Sequence, residues 1–232
     1  MKYMGSKRRI AKYILPIMLK DRKPNQYWVE PFVGGANMID KVTGKRIGAD
    51  INKYLIEALI AIRDCVCDIP KNNKEFTEQN YNELRKSDEY LYKGYAGFAF
   101  SYSGKWLGGW CRDGKLKRDY VNESYKNALN QTDKIQGLKL VNIDYNNLPI
   151  PVNSIIYCDP PYENTTKYKD NFNHKLFWQW CRKKTKEGHQ VFISEYNAPE
   201  DFECIWQKEI NSSLTKETGS KKGVEKLFTY CV

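Results

Sequence analysis

The chain has 232 residues, enough for one substantial domain with a sizeable core and an inserted segment. Lysine and arginine outnumber aspartate and glutamate by 38 to 28, and the net charge of +10 points to an anionic partner such as nucleic acid, the plain alternative being a merely soluble basic protein. No apolar run is long enough to span a bilayer, Met1-Lys2-Tyr3-Met4-Gly5 carries no secretory h-region, and His174 and His189 alone cannot build a His-rich metal site.

In chain order, Lys7 to Lys20 carry Ile10, Ile14, Ile17 and Met18 at helical spacing, with Pro16 expected to kink or split the helix. Gln26 to Glu30 reads as a short strand, followed by a turn at Gly34-Gly35 and a second strand over Arg46–Ala49 that ends at Asp50. Tyr54 to Val66 is a periodic helix with Leu55, Leu59 and Ile62 on one face. From Asp68 to Gln136 the chain turns polar, tyrosine-rich and basic, with helices predicted over Thr77–Lys86, Glu89–Phe100 and Tyr120–Lys134 and a Gly/Trp-rich stretch from Ser101 to Arg118. Strands resume at Lys139–Ile143 and Ser154–Cys158, a helix follows over Lys175–Lys186, then a strand at Gln190–Ser194. Two last strands, near Ile205–Ile210 and Lys226–Cys231, flank a polar loop expected to be mobile. Short strands alternating with helices imply an α/β fold, a mostly parallel sheet covered on both faces and interrupted by one insertion.

The cysteines form no CxxC pair, and Cys65 and Cys67 are a lone C-x-C. With Cys158, Cys181, Cys204 and Cys231 in apolar or aromatic stretches, the expectation is reduced, mostly buried thiols of a cytosolic protein. His174 reads as a helix-start residue and His189 as a surface turn residue.

The sharpest chemical signal is Asp159-Pro160-Pro161-Tyr162, directly after the apolar strand Ser154–Cys158. The carboxyl end of a parallel strand is where open α/β sheets bind ligands, although a rigid Pro-Pro turn is the bland reading. The tetrapeptide suits methylation of an exocyclic amine, a poor nucleophile because its lone pair is conjugated into the ring. The Asp159 carboxylate and the Pro160 carbonyl could each accept one N–H, drawing the nitrogen toward sp³ geometry and freeing the lone pair for in-line attack on a sulfonium methyl. Tyr162 offers a flat face to a base, which must be flipped out of a duplex to be reached. A second signal is Glu30-Pro31-Phe32-Val33-Gly34-Gly35-Ala36, a Gly-rich turn that lets a cofactor approach the backbone but does not match G-x-G-x-x-G. Asp50, about 20 residues past Glu30, could hold ribose hydroxyls, or be a solvated strand end. In the insertion, Lys105, Arg112, Lys115, Lys117 and Arg118 crowd a Gly-rich loop with Trp106 and Trp110, opposed only by Asp113. Cations and aromatics on flexible backbone suit phosphate and groove contacts, with a solvated loop packed on its tryptophans as the alternative. Lys221 and Lys222 form a weaker basic patch.

Together these segments resemble the Dam-like, alpha-group family of adenine-N6 DNA methyltransferases. Tyr3-Met4-Gly5-Ser6-Lys7 is similar to its N-terminal cofactor motif, residues 30–36 to its methionine-moiety loop and Ala49-Asp50-Ile51-Asn52 to its ribose-binding strand end. Asp159-Pro160-Pro161-Tyr162 is similar to the catalytic motif and Phe192-Ile193-Ser194-Glu195-Tyr196 to the strand walling the base pocket, while Asp144 ends a strand where the adenine moiety of the cofactor would lie or is a plain turn residue. The resemblance implies a Rossmann-like methyltransferase sheet, its cofactor part in residues 1–67, a mainly helical target-recognition subdomain inserted over 68–136 and a catalytic part in 137–232. It implies S-adenosylmethionine held by Tyr3, Lys7, Phe32, Gly34, Asp50, Ile51 and Asp159, catalysis by Asp159, Pro160 and Tyr162, double-stranded DNA as partner, no metal, and a monomer in the cytoplasm of a prokaryotic or phage-infected cell. Rival readings are methylation of cytosine N4 or of adenine in RNA, and a catalytically idle nucleic-acid-binding module. A nicotinamide oxidoreductase would need a different glycine pattern.

Overall fold

A computed structural model describes residues 1–87, 92–112, 118–163, 172–211 and 222–231. Its seven-stranded sheet has the order β3-β2-β1-β4-β5-β7-β6, formed by β1 (Trp28–Glu30), β2 (Arg46–Asp50), β3 (Lys139–Asn142), β4 (Ile155–Cys158), β5 (Gln190–Glu195), β6 (Phe202–Asn211) and β7 (Lys222–Tyr230). The first five strands pair in parallel, and β7 enters antiparallel between β5 and β6. The mostly parallel α/β sheet expected from the pattern is therefore present.

Alternate residues of the central strands feed two separate cores, one on each face. Trp28, Ile155 and Tyr157 join α1 (Ala11–Met18), α2 (Lys53–Asp64), α4 (Lys93–Ala99) and α5 (Tyr120–Thr132) on one side. Val29, Ile156 and Cys158 join Phe177, Trp180 and Cys181 of α6 (His174–Lys186) on the other. A strand buried on both faces has no polar alternation to keep, which is why Ile155–Cys158 is apolar throughout. Phe76, Tyr81 and Leu84, the last two on α3 (Glu78–Leu84), enter the first core with Tyr95, Phe100, Val121 and Ala128, so helices between Asp68 and Gln136 are layered onto α2.

Several local expectations are corrected. The helix predicted from Lys7 begins as a 3-10 turn, Lys7–Arg9, whose entry is capped by the Ser6 hydroxyl accepting from the Arg8 N–H. The break falls at Ile10 and not at Pro16, which stays inside α1. Pro16 is exposed, so water can reach the Lys12 carbonyl left without its helical donor. The first strand starts at Trp28, later than Gln26, because Arg22 Nη2 takes the Gln26 carbonyl at 2.9 Å. His189 is buried, its Nδ1 accepting the Ser154 N–H at 3.1 Å at the foot of β4, where burial lowers its pKa. Cys111, Cys158 and Cys181 are buried, whereas Cys67, Cys204 and Cys231 are exposed. His174 does open α6, directly after the Asn173 cap. The residues from Asp88 to Leu91 and the polar loop at 212–221, with Lys221, lie outside the described residues.

Candidate active site

The chain runs from β1 outward to β2 and β3, then returns to lay β4 on the other side of β1. Loops leaving β1 and β4 thus diverge, and a crevice must open between them at the carboxyl ends of the strands. A cleft of about 1090 Å³ lies there, with Glu30, Asp50 and Asp159 in its walls.

At the β4 end, Lys7 reaches in from the 3-10 turn. Its Nζ stands 3.5 Å from Asp159 Oδ1 and 3.1 Å from Glu225 Oε2, and 4.3 Å from the centre of the Tyr162 ring. Lys7 is buried, and burial works against its charge, but Asp159 and Glu225 outweigh it and hold its pKa above the usual lysine value. Burial and the charge of Glu225 raise the Asp159 carboxyl to about 6, although the shared Lys7 and hydrogen bonding to Tyr162 lower it. Tyr162 donates its hydroxyl to Glu225 Oε2 at 3.1 Å and meets the Tyr196 ring at 87° with centroids 4.7 Å apart. Behind this group, burial lifts buried Glu195 to about 7, although it accepts the backbone N–H groups of Glu163 and Tyr196 at 2.8 and 2.6 Å. Glu225 belongs to no motif in the sequence. Only its placement at the start of β7, where the antiparallel strand brings its amino end to the carboxyl end of β5, reveals it.

Across the cleft, Asp50 at the end of β2 accepts the N–H of Asn52 at 3.0 Å and that of Gly34 at 3.3 Å. Burial raises its carboxyl to about 6 in spite of these donors. Gly34 sits at φ +51°, and a Cβ on Gly35 would come within 2.7 Å of Tyr3 Cβ, so the N-terminal segment is seated directly on the Gly-rich turn. Phe32 packs against Tyr145, Phe172 and Phe177 at 5.2–5.8 Å, and Ile51 is 71% exposed at the rim. Glu30 is buried, accepts the Trp28 indole N–H at 2.8 Å, and burial drives its pKa well above the usual carboxylate range. Tyr3, Lys7, Phe32, Gly34, Asp50, Ile51, Asp159, Pro160 and Tyr162 all line this one cleft, and so does Asp144.

A model of the D12 class N6 adenine-specific DNA methyltransferase family matches residues 3–148. The chain belongs to this family. The matched span holds the Tyr3–Lys7 segment, the Gly-rich turn, Asp50 and Asp144, and stops short of Asp159. Among solved structures, the chain is similar to SMU.472, a putative methyltransferase complexed with SAH, at 12% identity and a TM-score of 0.42, over 97% of this chain and 52% of that one. It is also similar to the tRNA (m1A58) methyltransferase TrmI from Aquifex aeolicus, at 9% identity and a TM-score of 0.44, over 98% of this chain and 72% of that one. The chain thus spans about half the length of the first of these. No curated protein matches.

Of the basic residues that the sequence offers for DNA, Lys105, Arg112 and Arg118 do not line the cleft of this D12 family member. Arg112 is paired with Glu78, and Arg118 with Glu123 at 2.6 Å. Lys105 is exposed. Trp106 stacks on Tyr54 at 4.5 Å and 18° and covers Gly97, where a Cβ would strike it at 2.3 Å. Trp110 lies against Phe76, Tyr81 and Phe100. Both indoles are thus engaged in packing, as in the alternative of a loop packed on its tryptophans. Lys115 and Lys117, with Asp113, lie outside the described residues. Among the described residues no group of acidic, His and Cys side chains could hold a metal, and no helix is long and apolar enough to cross a membrane.

Proposed function

We propose that the chain transfers a methyl group from S-adenosylmethionine to the N6 amine of an adenine extruded from duplex DNA. The observation that carries this reading is the pairing of Asp159 with Lys7 at the switch-point end of β4, in the same cleft as Asp50. The cofactor side fits the group: Asp50 keeps acceptor capacity after taking two backbone N–H groups, and the Gly34-Gly35 turn, with Tyr3 seated on it, lines the same cleft. Tyr3, Lys7, Phe32, Gly34, Asp50, Ile51 and Asp159 would hold it, and when bound it supplies an electrophilic sulfonium methyl.

The chain's own residues do the rest. Asp159, kept ionised at neutral pH with the help of Lys7, accepts one N–H of the target amine, and the Pro160 carbonyl accepts the other. Positive charge developing on the nitrogen is stabilised by a carboxylate in a water-poor site, where it counts for more than in water. Tyr162 and Tyr196, nearly perpendicular, give the extruded base aromatic walls, and Lys7 and Glu225 hold Tyr162 in place. The test is single-turnover transfer of a labelled methyl to an adenine-containing duplex, beside cytosine-only duplex and RNA, with and without chelator. Label on adenine N6 that persists with chelator and falls about a hundred- to a thousandfold in a folded Asp159→Ala protein is expected. Label on cytosine or RNA alone, or normal transfer by that variant, overturns the reading.

A further inference from the structure

We infer that the duplex backbone beside the target nucleotide lies along the outer face of the 3-10 turn and α1, on Arg8, Arg9, Lys12 and Lys208; this surface rests on the DNA-methylation reading above. Lys7 points inward to Asp159, while its neighbours Arg8 and Arg9 are exposed on the lip of the same cleft. Any nucleotide whose base reaches Asp159 has its flanking phosphates at that lip, because base and phosphate are joined through one sugar. Lys12 continues the cationic face one turn along, opposite the buried Ile10, Ile14 and Met18.

A second strand of the fold completes the surface. Trp206 and Lys208, two residues apart on β6, lean over Tyr13 of α1, the indole stacked at 6.2 Å and 21° and the ammonium 3.6 Å from the ring centre. Lys12 lies 4.9 Å from the same ring, and hydrogen bonding to Lys208 and then Lys12 draws the Tyr13 phenol below its usual pKa. An aromatic ring attracts a cation but carries no net charge, so both lysines keep theirs for a polyanion.

A solvated cationic face is the ordinary explanation of exposed lysines and arginines. That explanation suits exposed lysines such as Lys20, Lys45 and Lys53, which among the described residues have no ion pair and do not line the cleft, while Arg63, Arg112, Arg118, Arg182 and Lys184 are paired with acids. Among the described residues Arg8, Arg9, Lys12 and Lys208 have no such ion pair, and they run from the mouth of the cleft. Uncompensated charge in a row beside the reacting carboxylate is what a phosphate backbone requires.

The experiment compares wild type with an Arg9→Gln, Lys12→Gln, Lys208→Gln protein, measuring affinity for a labelled adenine-containing duplex across a salt series. Each lost phosphate contact removes about 0.9 from the log-log salt slope, so the slope is expected to flatten by about two to three units, with tenfold or greater loss of affinity at low salt. S-adenosylmethionine affinity by calorimetry should be unchanged, which certifies the fold. A Lys105→Gln, Arg112→Gln protein should keep the wild-type slope. If wild type methylates duplex but the triple variant keeps its slope, or the loop variant flattens instead, this surface is wrong and the methylation reading stands. Flattening seen with single-stranded RNA and not with duplex also overturns it. A wild-type chain that neither binds nor methylates duplex overturns both.

Discussion

Asp159 is the residue on which opposing effects meet most closely. Burial and the nearby Glu225 push its carboxyl up to about 6, while Lys7 pulls the other way. Tyr157, Glu30 and Glu195 also surround it, and its charge in turn raises each of them. In the proposed reaction the ionised form is the one that accepts a hydrogen bond from the amine, so acid removes the active species. Single-turnover rates at saturating cofactor should therefore be level above neutrality and fall below about pH 6, approaching tenfold per pH unit. A profile flat to pH 5 would show that the Asp159 charge is not used. In the proposed reaction Asp50 plays a different part, as an acceptor for the cofactor. Asp50→Ala should weaken S-adenosylmethionine binding by about 1–3 kcal/mol, the scale of hydrogen bonds to a charged group. Calorimetry giving wild-type affinity for a folded variant would reduce Asp50 to a brace for the Gly34 and Asn52 amides.

At the scale of elements, the antiparallel hairpin of β6 and β7 does more than close the sheet. By running opposite to β5, β7 delivers Glu225 to the carboxyl end of the parallel strands, between Lys7 and the Tyr162 hydroxyl. In the proposed reaction Glu225 is thus a positioning residue acting through its two partners. Glu225→Ala should slow methyl transfer by about ten- to a hundredfold, the cost of a lost hydrogen bond to a charged acceptor. Glu225→Gln, which keeps an acceptor for Tyr162, should recover part of that loss, and cofactor affinity should hold in both. Equal rates for wild type and Glu225→Ala would confine the residue to sheet packing. The elements of the site were largely legible in the sequence because each motif is contiguous and sits at a strand end: residues 30–36 after β1, Asp50 closing β2, Asp159 after β4. Glu225 was not legible, since it meets Lys7 across a separation of 218 residues.

At the scale of the whole molecule, the cleft gathers carboxyl groups that the fold would sooner have neutral. Glu30, Asp50, Asp159 and Glu195 are all raised, chiefly by burial. A group whose folded pKa lies above its unfolded value near 3.9 binds its proton more tightly when folded, so stability falls as pH rises through that window. For Asp159 the window runs from about 4 to about 6, and above it the full cost is present. The ligand-free Asp159→Asn protein should accordingly melt higher than wild type at pH 7.5, and the gap should close as the pH is lowered toward 4. Calorimetric melting at several pH values checks this; a variant less stable at pH 7.5 would mean that the attraction to Lys7 dominates. On the proposed reading, function and stability would be opposed at this carboxylate, as is common where charge is buried for catalysis.

What the amino-acid sequence determined by itself is the set of elements and the placing of chemical groups at their ends. Helical and strand periodicity, the apolar β4 and the Gly-rich turn are local, and local sterics and burial enforce them wherever they occur. What only the tertiary structure decided is which distant groups meet. The passage of β7 between β5 and β6, the neutralising of Arg112 by Glu78, and the seat of Tyr13 beneath Trp206 and Lys208 depend on strand order and layer packing. Such pairings join residues far apart along the chain, or set which cation an acid takes, and the energy that selects them belongs to the assembled core, so no window of sequence contains it.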